Sequence, residues 1–374
     1  MSFGDFAVPA PIVLIGGLIV WLSIRRIVRL RTKNHAPWRN LIERSALSVA
    51  ALAALGVAGS SVFNAMMLHH TSASRPGATY EVDGHRMHMD CVGNGSPTIV
   101  LDAGLGDDGL IWGGVQPVLA KSTRVCSYDR AGFGLSDALP GPRDADHIAA
   151  ELHGLLAAAG IDGPIVLMGH SIAGIYIRDY ATKYPADVAG LIFVDGSTPL
   201  QDQNPAFKAL ERKGRGVWLE KPLMEAAVNT GIPRWFGFCS RQYPGFDARA
   251  AKLFSEDQCN PKIAAVDDEM ASFDQSGEET VHSGPYGELP ILIFSQDPTR
   301  HVSAMPIDLA KAWEQMQKDL MKLSAHSRRI IAKGSGHAIH LERPDLIERE
   351  ARLFLAQIRG TAPQGTDYGS TTTE

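Results

Sequence analysis

Ser171 stands in Gly169-His170-Ser171-Ile172-Ala173-Gly174, and its flanks decide what its hydroxyl can do. Before it runs Ile165-Val166-Leu167-Met168, apolar, of strand length and β-branched in bias. After it, Ile172, Ile175, Ile177 and Tyr180 resume helical spacing. A serine on so sharp a strand-to-helix bend takes backbone angles that most side chains avoid. The bend also crowds the positions two before and two after, and these hold the small residues Gly169 and Ala173. Such an elbow presents a nucleophilic hydroxyl at the rim of a parallel sheet.

A serine hydroxyl needs a base to take its proton. Gly334-Ser335-Gly336-His337 follows the last strand-like run, and a histidine on that glycine loop can reach the elbow. His337 is therefore the candidate base. His340, in the same neighbourhood, is expected to pack or to contact the base indirectly. The base in turn needs a carboxylate to orient it and to stabilise its cationic form. Asp297, after Ile291-Leu292-Ile293-Phe294-Ser295-Gln296, and Asp195, after Leu191-Ile192-Phe193-Val194, both sit at strand ends. Asp297 is preferred because its strand should neighbour the histidine's strand. Either aspartate could instead cap a turn. Chemistry at a carbonyl further needs donors for an oxyanion. The amide of Ile172, at the opening of a helix, is one. The amide of Leu105, in Asp102-Ala103-Gly104-Leu105-Gly106-Asp107-Asp108-Gly109, is the second.

That glycine run also spells the dinucleotide fingerprint G-x-G-x-x-G. The fingerprint is rejected because Asp107 and Asp108 occupy the place of the pyrophosphate. No H-E-x-x-H motif, zinc-ligand spacing or Walker loop occurs, so neither metal nor cofactor is expected.

These residues must be carried by a sheet. Strands are expected at 79–83, 86–91, 97–102, 123–128, 164–168, 190–195, 290–295 and 328–333, with helices at 144–159, 172–184 and 341–358. Strands alternating with helices predict a mostly parallel α/β sheet of eight strands. Asp83-Gly84 between the first two predicts an antiparallel edge. Residues 73–197 and 289–359 would form the two parts of the core, and 198–288 a helical cap between them. Helical spacing at 205–230 and 246–275 supports the cap, with Trp218, Trp235, Phe236 and Phe238 as its apolar face. They could form the cap's own small core or line a substrate pocket. Residues 360–374, rich in Gly, Thr and Ser, are expected to be a disordered tail.

Residues 1–72 differ from the rest. The stretches 7–24 and 45–68 carry no charge, and a membrane-spanning helix needs about 20 apolar residues. Residues 1–44 hold Arg25, Arg26, Arg29, Arg31, Lys33, Arg39 and Arg44 against Asp5 and Glu43. A basic loop between two apolar stretches predicts a two-helix membrane anchor with that loop in the cytoplasm and the body outside. A cleaved signal peptide or a single anchor at 45–68 are the rival readings. From residue 45 onward the chain has 29 basic and 39 acidic residues, a balance that does not suit nucleic acid. An oxidising compartment would permit a bridge between Cys239 and Cys259, while Cys91 and Cys126 fall in strands.

From about residue 78 to 358 the chain resembles the α/β-hydrolase superfamily. The matching segments are the elbow, Tyr128-Asp129-Arg130-Ala131-Gly132-Phe133-Gly134-Leu135-Ser136, and Ser335-Gly336-His337 with Glu342-Arg343-Pro344. The resemblance implies Ser171 as nucleophile, His337 as base, Asp297 as acid, and Ile172 with Leu105 as the oxyanion hole. The fold alone does not fix the substrate; taken with the two apolar stretches, the expectation is a membrane-anchored serine hydrolase acting on a small ester with an apolar acyl group, through an acyl-enzyme. An acyltransferase or peptidase with the same triad, or a non-catalytic tethered binding protein, are the alternatives. Ala173 departs from the family's usual glycine, and Ala103 stands where many relatives have histidine.

Overall fold

A computed structural model describes residues 9–30, 37–139, 141–199, 201–208, 227–237, 239, 242–259, 262–300, 306–361 and 368–374. Arg31, Lys33, Trp218 and Phe238 lie outside the described residues, as does most of the helix expected at 205–230.

The chain divides into two compact units. One contains the N-terminal helices and described parts of 217–241 and 255–261; the other contains the sheet, 242–254 and the rest. The insert expected as one cap therefore splits between the units instead of forming a domain of its own.

In the first unit, α1 (Pro9–Leu30) and α2 (Pro37–Ser74) are both long and apolar enough to cross a membrane. They pack on small residues: a side chain on Gly16 would meet the Ala54 carbonyl at 3.2 Å and the Ala58 methyl at 3.3 Å. Close approach through such residues is how apolar helices associate where no hydrophobic drive separates protein from lipid. The short helix α6 (Ile232–Trp235) belongs to this unit, and the Cys239–Cys259 disulfide closes the loop that follows it.

The second unit is built on a sheet of nine strands among the described residues, in the order β1-β2-β4-β3-β5-β6-β7-β8-β9. They are β1 (Ala78–Val82), β2 (His85–Val92), β3 (Thr98–Asp102), β4 (Val125–Tyr128), β5 (Ile165–His170), β6 (Val188–Val194), β7 (Ile291–Gln296), β8 (Ser327–Ala332) and β9 (Thr371–Thr373). The β1–β2 and β2–β4 pairs are antiparallel and all others parallel. Cys91 and Cys126 are register partners in β2 and β4, and a disulfide joins them.

Helices cover both faces. α4 (Ala145–Ala158) turns Ile148, Leu152 and Leu155 inward, α5 (Ala173–Lys183) is buried through Tyr180, and α12 (Pro344–Ile358) buries Leu346, Ile347, Phe354 and Leu355. The central strands are apolar on both faces: every residue of β5 is buried, as a doubly covered parallel strand requires. The tail departs from expectation. Residues 371–373 add β9 in parallel to β8, because Thr-rich sequence suits a half-buried strand and β8 offers an open edge.

Candidate active site

The bend after β5 has the geometry its sequence demands. Ser171 has φ of 55°, in the left-handed region that a non-glycine residue enters only when its surroundings over-determine it. Two bonds fix it: the Ser171 amide donates to the Val194 carbonyl, and the Ser171 carbonyl accepts from the Ser197 amide at 2.8 Å. A side chain on Gly169 would lie 2.8 Å from the Ala173 carbonyl, so glycine is obligatory there. The methyl of Ala173 is accommodated, fully buried in the core. Gly174 is likewise required, because a side chain there would begin 2.9 Å from the Gly196 Cα and from the Ser197 carbonyl oxygen.

His337 lies beside this bend. Its carbonyl is 3.1 Å from His170 Nε2, and the two rings are 4.7 Å apart. The ring is half-exposed, and its Nδ1 is 2.7 Å from Asp195 Oδ2. The carboxylate that holds the histidine is thus Asp195, and the preference for Asp297 is corrected. Asp195 is fully buried at the end of β6 with φ of 47°, a second strained residue on the strand next to the elbow. Strain there turns the carboxylate up toward the loop after β8. Its Oδ1 accepts from the Gln296 amide at 3.0 Å, and its Oδ2 also accepts from Trp313 Nε1 at 3.0 Å. Asp297 is spent elsewhere. Its carboxylate accepts from the Thr299 amide and hydroxyl and from the Gly334 amide, tying two loops together at the surface. Those bonds hold it below the usual carboxylate range.

The turn after β3 also reaches the elbow. A side chain on Gly104 would sit 2.6 Å from His170 Nδ1 and 3.4 Å from Ser171 Cβ. Leu105 follows immediately and packs against the cluster that contains Ile172, with Phe273 beside it. Among the described residues, neither the Leu105 nor the Ile172 amide is taken by a backbone hydrogen bond.

Arg130 holds that turn, a role not read from its motif. It is buried, and donates to the Ala103 carbonyl at 2.6 Å, the Gly104 carbonyl at 2.9 Å and Asp102 Oδ1 at 2.7 Å. Both oxygens of the buried Glu269, on α8 (Ile263–Ala271), accept from it as well. Burial opposes its charge, but Glu269 and Asp102 outweigh burial and keep it cationic. Glu342 plays a similar part for the loop that carries His337. It accepts from the Gly336 amide at 2.9 Å and pairs with Arg300, clamping the loop before His337.

The two histidines nearest His337, His170 and His340, stay neutral in the neutral pH range. His170 and His340 are buried with rings 4.3 Å apart, and His340 packs on Trp112. Burial, then the neighbouring imidazoles, pushes His170 well down and His340 to about 3. Asp107, half-buried on the turn after β3, is raised to about 7 by burial and by Asp108, against the pull of Arg130 and His337.

An elbow on β5, a histidine loop after β8 and a sheet of this order define an α/β hydrolase. The chain belongs to the alpha/beta hydrolase family: that family's profile matches residues 99–350. It is 26% identical over 326 residues to the uncharacterized protein YbdG of Bacillus subtilis (strain 168), covering 84% of this chain and 96% of that one. It is 25% identical over 293 residues to an AB hydrolase superfamily protein of Gibberella zeae, covering 70% and 87%. A carbamate hydrolase assignment, RutD of Escherichia coli O139:H28, shares 38% identity over 102 residues, 27% of this chain and 38% of that one. Among solved structures, epoxide hydrolase CorEH superposes with a TM-score of 0.55 at 18% identity, covering 76% of this chain and 99% of that chain. The enol-lactonase from Burkholderia xenovorans LB400 gives 0.50 at 19%, covering 75% and 100%. At these identities the structural likeness establishes the fold.

Proposed function

We propose that this protein is a membrane-anchored serine hydrolase that cleaves carboxylic esters through an acyl-enzyme. The observation that carries the reading is His337 Nδ1 at 2.7 Å from the buried Asp195 carboxylate, beside a serine strained to φ of 55°. With Nδ1–H donated to Asp195, the lone pair of Nε2 is left to take the Ser171 proton. Ser171 Oγ then attacks the ester carbonyl. The amides of Ile172 and Leu105 hold the oxyanion, each such donor being worth about 10²–10³ in rate. The imidazolium returns its proton to the leaving alcohol, and water, activated by the same histidine, releases the acid. Leu105 and Phe273 beside the elbow favour an apolar acyl group. Serine at this position supports acyl chemistry over epoxide opening, which in this superfamily uses a carboxylate nucleophile.

Two observations support an anchor with the catalytic body outside the cytoplasm. The two N-terminal helices are long and apolar enough to span a bilayer. All four cysteines are paired, and disulfides persist in oxidising compartments. A fluorophosphonate probe on the full-length protein tests the chemistry. Labelling lost in Ser171→Ala, with turnover of an ester panel, is expected; no labelling and no ester turnover point to a tethered binding protein. Turnover of amides, or acyl transfer to an added alcohol in preference to water, would redirect the reading to a peptidase or acyltransferase. Reporters fused after residues 35 and 72 test topology, and a cytoplasmic signal from the second refutes the outward orientation.

A further inference from the structure

We infer that the segment 227–237 is a second membrane contact, an aromatic turn seated in the lipid interface against the outer end of α2. The inference rests on the membrane reading above and goes beyond it.

The uncharged run of α2 starts at Ser45 and includes polar residues that lipid would not tolerate bare: Ser60, Ser61 and Asn64. At 1.5 Å per residue these lie roughly 22–28 Å along the helix from Ser45, the far edge of a hydrocarbon core about 30 Å thick. An unsatisfied polar group in that layer costs several kcal/mol. Here the segment 227–237 satisfies them. Ser61 Oγ donates to the Asn229 carbonyl at 2.8 Å, and Asn64 Nδ2 to the Val228 carbonyl at 3.3 Å. Asn64 Oδ1 accepts from Arg234 Nε at 3.1 Å, and Ser60 Oγ accepts from Trp235 Nε1 at 2.8 Å. Ser61 and Asn64 are buried as a result. Gly231, with φ of 69°, allows the approach: a side chain there would begin 2.7 Å from Asn64 Cβ.

The same turn is two-faced. Arg234 points inward and its guanidinium pairs with Glu256. Outward stand Ile232, Trp235 and Phe236, exposed by 38%, 65% and 73%. Phe63 of α2 packs against Trp235 with ring centroids 5.4 Å apart and planes tilted by 35°, and Phe63 and Met66 continue the apolar surface along the helix. A surface continuous with a membrane span, at its outer edge and led by tryptophan, has the composition of an interfacial aromatic belt. The aromatics expected as a cap core or pocket lining are thus, for Trp235 and Phe236, an outward surface.

The test uses the full chain in lipid nanodiscs whose phosphatidylcholine carries a diazirine near the glycerol end of one acyl chain. After photolysis, the modified peptides are mapped by mass spectrometry. Labelling on Trp235 and Phe236 within a few-fold of that on Phe63 and Met66 supports the inference. Labelling of α1 and α2 without 232–237 overturns it and leaves the anchor intact. No labelling of any of the three refutes the membrane reading and this inference together.

Discussion

Replacing Asp195 by asparagine tests the assignment of the acid most sharply. The carboxylate serves three donors: the Gln296 amide on Oδ1, and Trp313 Nε1 and His337 Nδ1 on Oδ2. Asparagine offers one acceptor oxygen and one donor nitrogen, so it cannot serve both sides. With its oxygen toward Gln296, its NH2 faces His337 and forces Nδ1 to accept. The imidazole proton then sits on Nε2, which can no longer act as base toward Ser171. Loss of that tautomer costs about 10⁴ in kcat, or roughly 5 kcal/mol of transition-state stabilisation. With its oxygen toward His337, the NH2 meets the Gln296 amide, and a buried donor goes unmatched at about 1–3 kcal/mol of stability. Asp195→Asn should therefore stay folded, by near-UV circular dichroism, with a modest fall in Tm and a kcat on p-nitrophenyl butyrate lowered about 10³–10⁴-fold. Asp297→Asn, whose carboxylate links Thr299 and Gly334 at the surface, should keep kcat within a few-fold. If Asp297→Asn removes turnover and Asp195→Asn spares it, the reasoning from hydrogen-bond geometry fails.

Gly104→Ala places a methyl 2.6 Å from His170 Nδ1 and should lower both kcat and Tm, read by ester kinetics and thermal melts. Arg130→Met strands two buried carboxylates, Asp102 and Glu269, and should destabilise by about 3–5 kcal/mol in chemical denaturation. Asp107 predicts a pH dependence. Its folded pKa, about 7, lies above the unfolded value. The stability tied to its proton is therefore full at or below about pH 4 and lost as pH rises through about 7. Asp107→Asn should flatten that decline in denaturation curves taken at about pH 5 and pH 8, and should extend activity on the alkaline side by removing an anion from the turn after β3.

The elbow was legible because its causes are local. A buried strand, a helix and small residues at Gly169 and Ala173 are written within a dozen positions, and they dictate the turn that holds Ser171. His337 was legible for a similar reason, on a glycine loop after the last long strand. The carboxylate partner of His337 was not, because Asp195 and Asp297 occupy equivalent places at the ends of adjacent strands. What separates them is a backbone angle at Asp195 and an indole from α10 (Ile307–Leu320), supplied by a residue far along the chain. The same holds for Arg130, whose partners Asp102 and Glu269 come from distant segments and meet only in the folded core. Periodicity read Trp235 and Phe236 as apolar cap residues, but spacing cannot say which neighbour an apolar turn will choose.

The pairing of Thr371–Thr373 with Arg329–Ile331 carries a practical consequence. The Arg329 amide donates to the Ser370 carbonyl and the Lys333 amide to the Glu374 carbonyl, so the outermost ladder of the sheet is stitched by the last few residues. Trimming those residues for crystallisation would leave a row of bare amides and carbonyls on β8. A bare row of that kind is a template for another molecule's strand, and preparations lacking residues 371–373 should self-associate where those retaining them stay monodisperse.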